Sequence, residues 1–221
     1  MKEKTAIIIG ATGLVGGALL DQLLDDPAYS SVVIFVRRST EKQHPKLVEH
    51  VIDFAEPDSW KDLVKGDVLF SALGTTRKQA GSVAAQRIVD YDYQFQFAKI
   101  AAANGVPSYV LISSVGADAH AGNAYFKMKG ELDRDVQKLG FPNVQILRPG
   151  PLQGPRDQPR SGEALSLRLI KFLNALGFFK KYKPVSGEQV ARVMRKVAIW
   201  HGNPAKVHEP MDIFPHLGGN Q

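Results

Sequence analysis

The segment IIIGATGLVGG, residues 7–17, is the stretch of this 221-residue chain that decides the fold. Three consecutive isoleucines lead directly into a cluster of four glycines, at positions 10, 13, 16 and 17. Glycine weakens strands and helices alike, so such a cluster directly after an apolar run needs a physical reason. Either the backbone turns tightly here, or another group must approach the backbone closely.

Along most of the chain, apolar runs alternate with helix-like segments. The runs that predict strands are 5–10, 31–38, 48–54, 67–73, 108–114 and 143–149, and the segments that predict helices are 14–26, 83–105 and 124–140. Continuous apolar strands separated by helices indicate a parallel sheet covered by helices on both faces. The predicted fold class is therefore α/β, a doubly wound parallel sheet of the Rossmann type.

The alternation stops at RPGPLQGPRDQPRSGE, residues 148–163, which is rich in proline and glycine. The pattern of residues 164–221 is less regular. We expect one NAD(P)-binding domain over residues 1–221, with a dinucleotide-binding core in 1–150. Residues 151–221 are expected to supply a lid or small C-terminal substrate lobe together with closing elements.

The glycine cluster lies between the first predicted strand and the first predicted helix, which is the context that makes it informative. In the spacing Gly10-x-x-Gly13-x-x-Gly16, the first glycine turns the chain and the second lets a pyrophosphate reach the backbone. The third lets the helix pack closely on the sheet, and the helix N-terminus meets the phosphates. The candidate cofactor-binding residues in this turn are Gly10, Thr12, Gly13, Leu14 and Gly16.

The end of the second strand bears on the choice of cofactor. Sites that prefer NAD usually carry an acid there, which binds the ribose 2′-hydroxyl. This chain instead has FVRRST, in which Arg37 and Arg38 end the strand. An arginine at this place can hold a 2′-phosphate, so NADP(H) is expected rather than NAD(H). The alternative is that both arginines are merely solvated.

Residues after the third and fourth strands are further candidates for the adenosine side of the site. Asp53 is placed either to accept from the adenine amino group or to cap the next segment. In SALGTT, Leu73 and Gly74 would let the backbone pass the adenosine ribose. Thr75 and Thr76 could bind a phosphate or cap a turn.

Catalytic chemistry is indicated where the fifth strand ends, in ISSVGAD, and the next helix begins, in AYFKMKG. Tyr125 and Lys129 are four residues apart, so they share one face of a helix. A lysine ammonium beside a phenol favours the phenolate, which makes Tyr125 a plausible general acid or base. Ser113 or Ser114 could hold the substrate oxygen.

Together, these motifs resemble the short-chain dehydrogenase/reductase superfamily, in its atypical branch similar to the Tat-interacting-protein-like NAD(P)-binding proteins. The motifs that carry the resemblance are GATGLVG, FVRRS, LGTTRKQAGS, RIVDYDY, ISSVGADA, YFKMKGELD, ILRPGPL and RSGE. The resemblance implies a Rossmann fold with bound NADP(H) and a catalytic set in which Ser114, Tyr125 and Lys129 match. Residues 148–152, including Pro149, resemble the loop that carries the nicotinamide amide. Asp90 departs from the pattern, because many members have an asparagine there that helps to relay protons.

The net charge of +6 is concentrated late in the chain, where residues 156–196 contain ten Lys/Arg and three Asp/Glu. Such a surface attracts phosphate-bearing substrates, anionic lipid or nucleic acid, or is simply solvated. Arg156 and Arg160 flank the presumed cleft and would meet an anionic small-molecule substrate or face water. No nucleic-acid-binding signature accompanies the charge, so no nucleic acid partner is expected. The apolar and basic segment 165–183 is expected to pack on the core rather than lie on a membrane.

Composition narrows the class of protein further. The chain has no cysteine, which excludes disulfides and thiolate chemistry, and its six histidines lack metal-ligand spacing, so no metal is expected. Asp133 and Asp135 are expected on a solvated helix face. With no signal-peptide pattern and no apolar stretch of about 18 residues, a soluble cytoplasmic protein is expected.

The expected activity is NADP(H)-dependent oxidation or reduction of an alcohol or carbonyl. One alternative is a non-catalytic NADP(H)-binding sensor or regulator, against which the complete Ser-Tyr-Lys set argues. Another is an NAD-dependent epimerase or dehydratase, against which Arg37 and Arg38 argue. The sequence names no substrate and leaves monomer and homodimer open.

Overall fold

The computed structural model describes residues 3–153, 184–199 and 205–213. Its centre is a seven-stranded, wholly parallel sheet with the strand order β3-β2-β1-β4-β5-β6-β9. Two short strands, β7 and β8, pair separately. The strands are β1 Lys4–Ile9, β2 Tyr29–Val36, β3 Leu47–Val51, β4 Val68–Ser71, β5 Ser108–Ile112, β6 Asn143–Leu147, β7 Leu152–Gln153, β8 Val185–Ser186 and β9 Ala205–His208.

Helices connect the strands and cover the sheet. They are α1 Leu14–Leu24, α2 Arg77–Ala80, α3 Val83–Arg87, α4 Tyr93–Ala103, α5 Ala124–Val136, α6 Gly187–Ala198 and α7 Pro210–Ile213. None of the described helices is long and apolar enough to cross a bilayer. The predicted strands and helices of the first 150 residues are all present, although most end a few residues earlier than predicted.

The two faces of the sheet form two separate cores, because successive side chains of a strand point in opposite directions. On one face, Ala6 and Ile8 of β1 pack with the apolar sides of α1 and α6. On the other face, Ile7 and Ile9 pack with side chains of α4 and α5. All four of these β1 residues are completely buried. The prediction of a doubly wound α/β fold of the Rossmann type is confirmed.

For the seven-stranded sheet, the prediction of six strands was one short, because residues 205–208 form β9 at its edge beside β6. Helix α6 likewise packs on the core, where Val190, Val193 and Val197 are completely buried. Ser186 begins α6 with a capping box closed by Gln189. That capping box and the apolar spacing of three and four residues were available signals of a core helix. The remainder of the expected substrate lobe, residues 154–183, 200–204 and 214–221, lies outside the described residues.

The long helix predicted over residues 83–105 is interrupted. A π-helical turn, Ile88–Asp92, separates α3 from α4. Such single-turn insertions rotate the residues they contain relative to a regular helix, and they often occur at functional sites. The helix ends as predicted, since Gly105 follows α4 with a φ of +80°.

Candidate active site

The turn after β1 is compressed in a way that only glycine allows. Gly10 has a φ of +84°, and a Cβ on it would lie 2.4 Å from the backbone nitrogen of Leu73 in the loop after β4. A Cβ on Gly16 would lie 2.0 Å from the carbonyl oxygen of Gly10, so α1 touches the turn directly. These two glycines therefore set how closely β1, α1 and the loop after β4 approach one another.

Gly13 has a different role in the same turn. It is exposed at the N-terminus of α1, and a Cβ on it would meet no neighbour nearer than the Gly10 carbonyl oxygen, at 3.3 Å. No side chain caps this end of α1, and its first turn contains no acid. Thr12 is exposed and Leu14 half-buried beside it. The open cradle, unpaired amide groups and positive helix end fit a bound pyrophosphate.

Arg37 and Arg38 follow β2 immediately, and both are exposed. Within the described part of the chain, neither guanidinium has an acidic partner at ion-pair distance. The nearby carboxylate of Glu49, on β3, already accepts hydrogen bonds from the loop that follows the two arginines. It accepts from the Ser39 hydroxyl at 2.6 Å and from the Thr40 amide at 2.9 Å. The role of the two arginines towards a 2′-phosphate stays a prediction.

The other candidates on the adenosine side have local structural roles. Asp53 accepts from the Ala55 amide at 2.8 Å and so caps the segment after β3, one of its two predicted roles. Thr76 caps α2 by accepting from the Gln79 amide at 3.1 Å. The amide of Thr75 donates to Asp90, and a Cβ on Gly74 would lie 3.2 Å from the same carboxylate. A direct role in cofactor binding stays a prediction for Asp53, Leu73, Gly74 and Thr75.

The two serines that come after β5 differ in burial. Ser113 is buried, with 5% of its surface exposed, and its hydroxyl lies close to the carboxylate of Asp133. Ser114 is half-buried, and its hydroxyl donates to the Val115 carbonyl at 3.2 Å. Its greater accessibility supports Ser114 as the serine that could meet a substrate.

Helix α5 carries Tyr125 in its first turn and Lys129 one turn later. Asn123 caps the helix by accepting from the Tyr125 amide at 2.9 Å, which fixes where the helix begins. Tyr125 is half-buried, whereas Lys129 is buried with its ammonium 3.1 Å from a carboxylate oxygen of Asp90. Burial opposes the ammonium charge, but Asp90 and Tyr125 outweigh it and raise the pKa of Lys129 above its ordinary value.

The expectation that Asp133 lies on a solvated face was wrong. Only 2% of the residue is exposed, and its carboxylate accepts from the Arg148 guanidinium at 2.9 Å. Burial raises the pKa of Asp133, and the Ser113 hydroxyl and Arg148 offset this only in part. Arg148 also pairs with Glu209 after β9, at 2.9 Å. The ion pair with Arg148, directly after β6, stabilises the buried charge of Asp133.

The loop after β6 is hydrogen-bonded to the loop after β5. The Val115 amide donates to the carbonyl of buried Pro149 at 3.1 Å, and the Arg148 amide donates to the His208 carbonyl at 2.9 Å. Pro149 is therefore held next to the loop that carries Ser114. The flanking residues Arg156 and Arg160 lie outside the described residues.

Sequence reasoning missed the partner of Lys129. The sequence marks Asp90 only as a departure from a family pattern, yet it is one of the most deeply buried acids among the described residues. A signal was present: Asp90, Gln94, Phe97 and Ala101 recur at helical spacing and all are buried. An acid on the apolar stripe of a helix needs a buried partner of opposite charge. Among the described residues, no cluster of His, Asp and Glu is arranged to hold a metal ion.

A comparison with protein families agrees with the glycine cradle. The model of the NAD(P)H-binding family matches residues 10–198, most of the chain. The chain belongs to the NAD(P)H-binding family.

Curated relatives confirm the predicted branch. The mitochondrial protein FMP52 of Saccharomyces cerevisiae is 38% identical over 202 residues, covering 85% of this chain and 84% of its own. The HTATIP2 protein of Rattus norvegicus is 36% identical over 174 residues, covering 77% of this chain and 72% of its own. The resemblance to the atypical, Tat-interacting-protein-like branch is therefore confirmed, and the chain is an NAD(P)-binding domain.

The expectation of a cytoplasmic protein was wrong. The FMP52 relatives of several fungi, including those of Saccharomyces cerevisiae and of Candida albicans at 33% identity, are named as mitochondrial proteins. The expectation had relied on the lack of a recognisable targeting pattern, and such a lack does not identify a compartment.

Solved structures of related fold agree with the architecture. The Bordetella bronchiseptica enzyme WbmH, in complex with NAD+, superimposes with a TM-score of 0.72 at 16% identity, covering 94% of this chain and 75% of the other. A UDP-N-acetylglucosamine 4-epimerase from Methanobrevibacter ruminantium has a TM-score of 0.71 at 16% identity, covering 95% and 77%. At this identity, the likeness concerns the fold alone.

Proposed function

We propose that the protein is an NADP(H)-dependent oxidoreductase that interconverts a carbonyl and an alcohol on a small-molecule substrate. The observation that carries the proposal is the placement of Ser114, Tyr125 and Lys129. All three come after β5, at the same carboxyl edge of the sheet as the uncapped N-terminus of α1. In open parallel sheets, ligands bind at this edge.

Each of the three side chains has a distinct task in the proposed reaction. The nicotinamide, when bound, supplies or accepts the hydride. Ser114 orients the substrate oxygen by a hydrogen bond from its hydroxyl. Tyr125 donates a proton to that oxygen during reduction and accepts one during oxidation. Lys129 holds the ribose of the cofactor and keeps a positive charge beside the phenol of Tyr125.

The preference for NADP(H) rests on Arg37 and Arg38. Both guanidiniums are exposed at the end of β2 and lack an acidic partner within the described residues, so both are available to a 2′-phosphate. The carboxylate of Glu49, which lies beside this loop, already accepts from the hydroxyls of Ser39 and Thr40. A charge-assisted hydrogen bond contributes about 1.5–3 kcal/mol, which corresponds to a preference of at least tenfold.

Calorimetric titration with NADPH and with NADH tests this preference. We expect tighter binding of NADPH, and we expect the double substitution R37A/R38A to remove most of the difference while leaving NADH binding unchanged. The control is Arg134→Ala, which removes an exposed guanidinium on α5. Equal affinities in the wild-type protein, or tighter binding of NADH, would contradict the proposed preference.

Turnover separates the proposed enzyme from a cofactor-binding sensor. A screen of aldehydes and ketones, including phosphorylated and acidic ones, is followed by the absorbance of NADPH. Oxidation of NADPH that depends on an added carbonyl compound supports the enzyme. NADPH binding without turnover across a broad screen would favour the sensor instead.

A further inference from the structure

Asp90 lies where the long helix is interrupted between α3 and α4. It belongs to the π-helical turn Ile88–Asp92, which inserts a wider turn between α3 and α4. Its backbone carbonyl accepts from the Gln94 side chain at 2.9 Å, and Gln94 in turn accepts from the Ser71 hydroxyl at 2.8 Å. All three residues are buried. The turn is thus anchored to the end of β4.

Both carboxylate oxygens of Asp90 accept from donors of neighbouring segments. One oxygen lies 3.1 Å from the Lys129 ammonium, and the other accepts from the Thr75 amide at 3.1 Å. A carboxylate can accept on both oxygens, whereas the amide of an asparagine offers only one acceptor. An asparagine in the same orientation would therefore turn its NH2 group, which is a donor, towards the donor of either Lys129 or Thr75.

The charge of Lys129 depends on this carboxylate. Only 5% of the Lys129 side chain and 2% of the Asp90 side chain are exposed, so water does little to stabilise either charge. The groups that face Lys129 are Asp90 from the π-helical turn and Tyr125 and Asp133 from its own helix. Asp133 is itself paired with Arg148. Burial lowers the pKa of Lys129, and Asp90 is the strongest influence in the opposite direction.

We propose that Asp90 is a positioning residue, which keeps Lys129 charged and directs its ammonium towards the cofactor ribose and Tyr125. The proposal rests on the proposed function, since it assigns Lys129 to the ribose. An ammonium has three donors, and the one engaged by Asp90 fixes the directions of the other two. Because Asp90 also accepts from the Thr75 amide, it links the loop after β4 to helix α5 and fixes their relative position.

The test measures NADPH affinity against pH for the wild-type protein and for Asp90→Asn. Without the carboxylate, burial lowers the pKa of Lys129, so the ammonium is lost at a lower pH. Affinity that requires the ammonium then falls as pH rises through the lowered pKa, on the order of tenfold per pH unit. The wild-type affinity is expected to stay constant over the same range.

Three variants accompany the test. Asp92→Asn removes an exposed acid from the same turn and is expected to behave as the wild type. Lys129→Met is expected to bind weakly without this pH dependence, and D90N/K129M is expected to match it. A purely structural loss in Asp90→Asn would weaken binding equally at every pH. That result, or an unchanged affinity and pH profile, would overturn the proposal.

A measurement on the wild-type protein covers the case in which Asp90→Asn does not fold. The NMR signal of the Lys129 side chain, assigned by its loss in Lys129→Met or Lys129→Arg, is followed through an alkaline titration. We expect it to titrate above the ordinary range of a lysine, and titration below that range would overturn the proposal. This measurement needs no cofactor, so it separates failure of this inference from failure of the proposed function.

Discussion

At the residue scale, the candidate site depends on a few side chains whose surroundings differ sharply. Tyr125 is half-buried, whereas Lys129, one turn later, is buried against Asp90. The tyrosine is therefore accessible to a substrate, while the lysine is held by the protein. This division suits a proton donor beside a fixed positive charge.

Tyr125→Phe tests the role of the phenol. The substitution deletes one hydroxyl and little volume, so we expect unchanged NADPH affinity and a fall in turnover of about 10²–10⁴, the usual contribution of general acid–base catalysis. Steady-state rates and calorimetric titration measure the two effects. The control is Tyr93→Phe, which removes the hydroxyl of a ring that stacks on Phe54. Turnover of Tyr125→Phe at the wild-type rate would rule out the proposed mechanism.

At the element scale, the N-terminus of α1 is the part of the site with the clearest physical function. Its amide groups have no capping side chain, and no acid lies in its first turn to oppose an anion. The glycines on either side are required by packing, because a Cβ at Gly10 or Gly16 would overlap backbone atoms. Gly13 is exposed, and packing does not require its lack of a side chain as it does at Gly10 and Gly16.

Gly13→Val is expected to remove dinucleotide binding and to preserve the fold. The φ of Gly13 is −86°, which any residue adopts, and its Cβ would lie 3.3 Å from the Gly10 carbonyl oxygen and 3.9 Å from that of Ala72, so the turn has to shift by only a few tenths of an ångström. Loss of one or more charge-assisted bonds to the phosphates predicts at least about tenfold weaker binding. The control is Gly17→Ala, whose Cβ would make an ordinary contact at 3.4 Å with the Ala11 carbonyl. Titration and thermal melting measure both properties, and wild-type affinity in Gly13→Val would place the phosphates elsewhere.

At the scale of the whole molecule, stability at high pH depends on buried tyrosines. Tyr29 at the start of β2 is 3% exposed, and Tyr109 on β5 is completely buried. Burial, with a smaller contribution from Asp26, raises the pKa of Tyr29 to about 12. Burial also raises the pKa of Tyr109. Both phenols therefore resist ionisation in the folded state more strongly than in the unfolded chain.

The sign of the effect predicts loss of stability in alkali. The contribution of Tyr29 is complete below pH 10, the ordinary value of its pKa, and is lost as pH rises towards about 12. Over that window, the free energy of unfolding should fall by about 1.4 kcal/mol per pH unit for each such tyrosine. Urea unfolding at a series of pH values measures it. Tyr29→Phe should have a shallower slope, and an unchanged slope would show that Tyr29 does not contribute.

Most of the fold was predictable because its signals are local. The apolar runs of β1, β2 and β5, the glycine turn and the glycine that ends α4 depend on residues adjacent in the sequence. Strand β9 was missed because it has only four residues and is too polar to be recognised as an apolar run. The π-helical turn was missed because nothing in RIVDYDY distinguishes it from a regular helix.

The same distinction between local signals and tertiary contacts applies to the candidate site. By itself, the sequence determined the parallel α/β fold, the dinucleotide turn and the spacing of Tyr125 and Lys129, since all of these depend on residues close together in the chain. Only the tertiary structure decided that Lys129 pairs with Asp90, that Asp133 is buried with Arg148, and that Ser113 is less accessible than Ser114. The physical reason is that burial and ion pairing depend on which elements pack together. No periodicity within a single element records which distant side chain will share its desolvated surroundings.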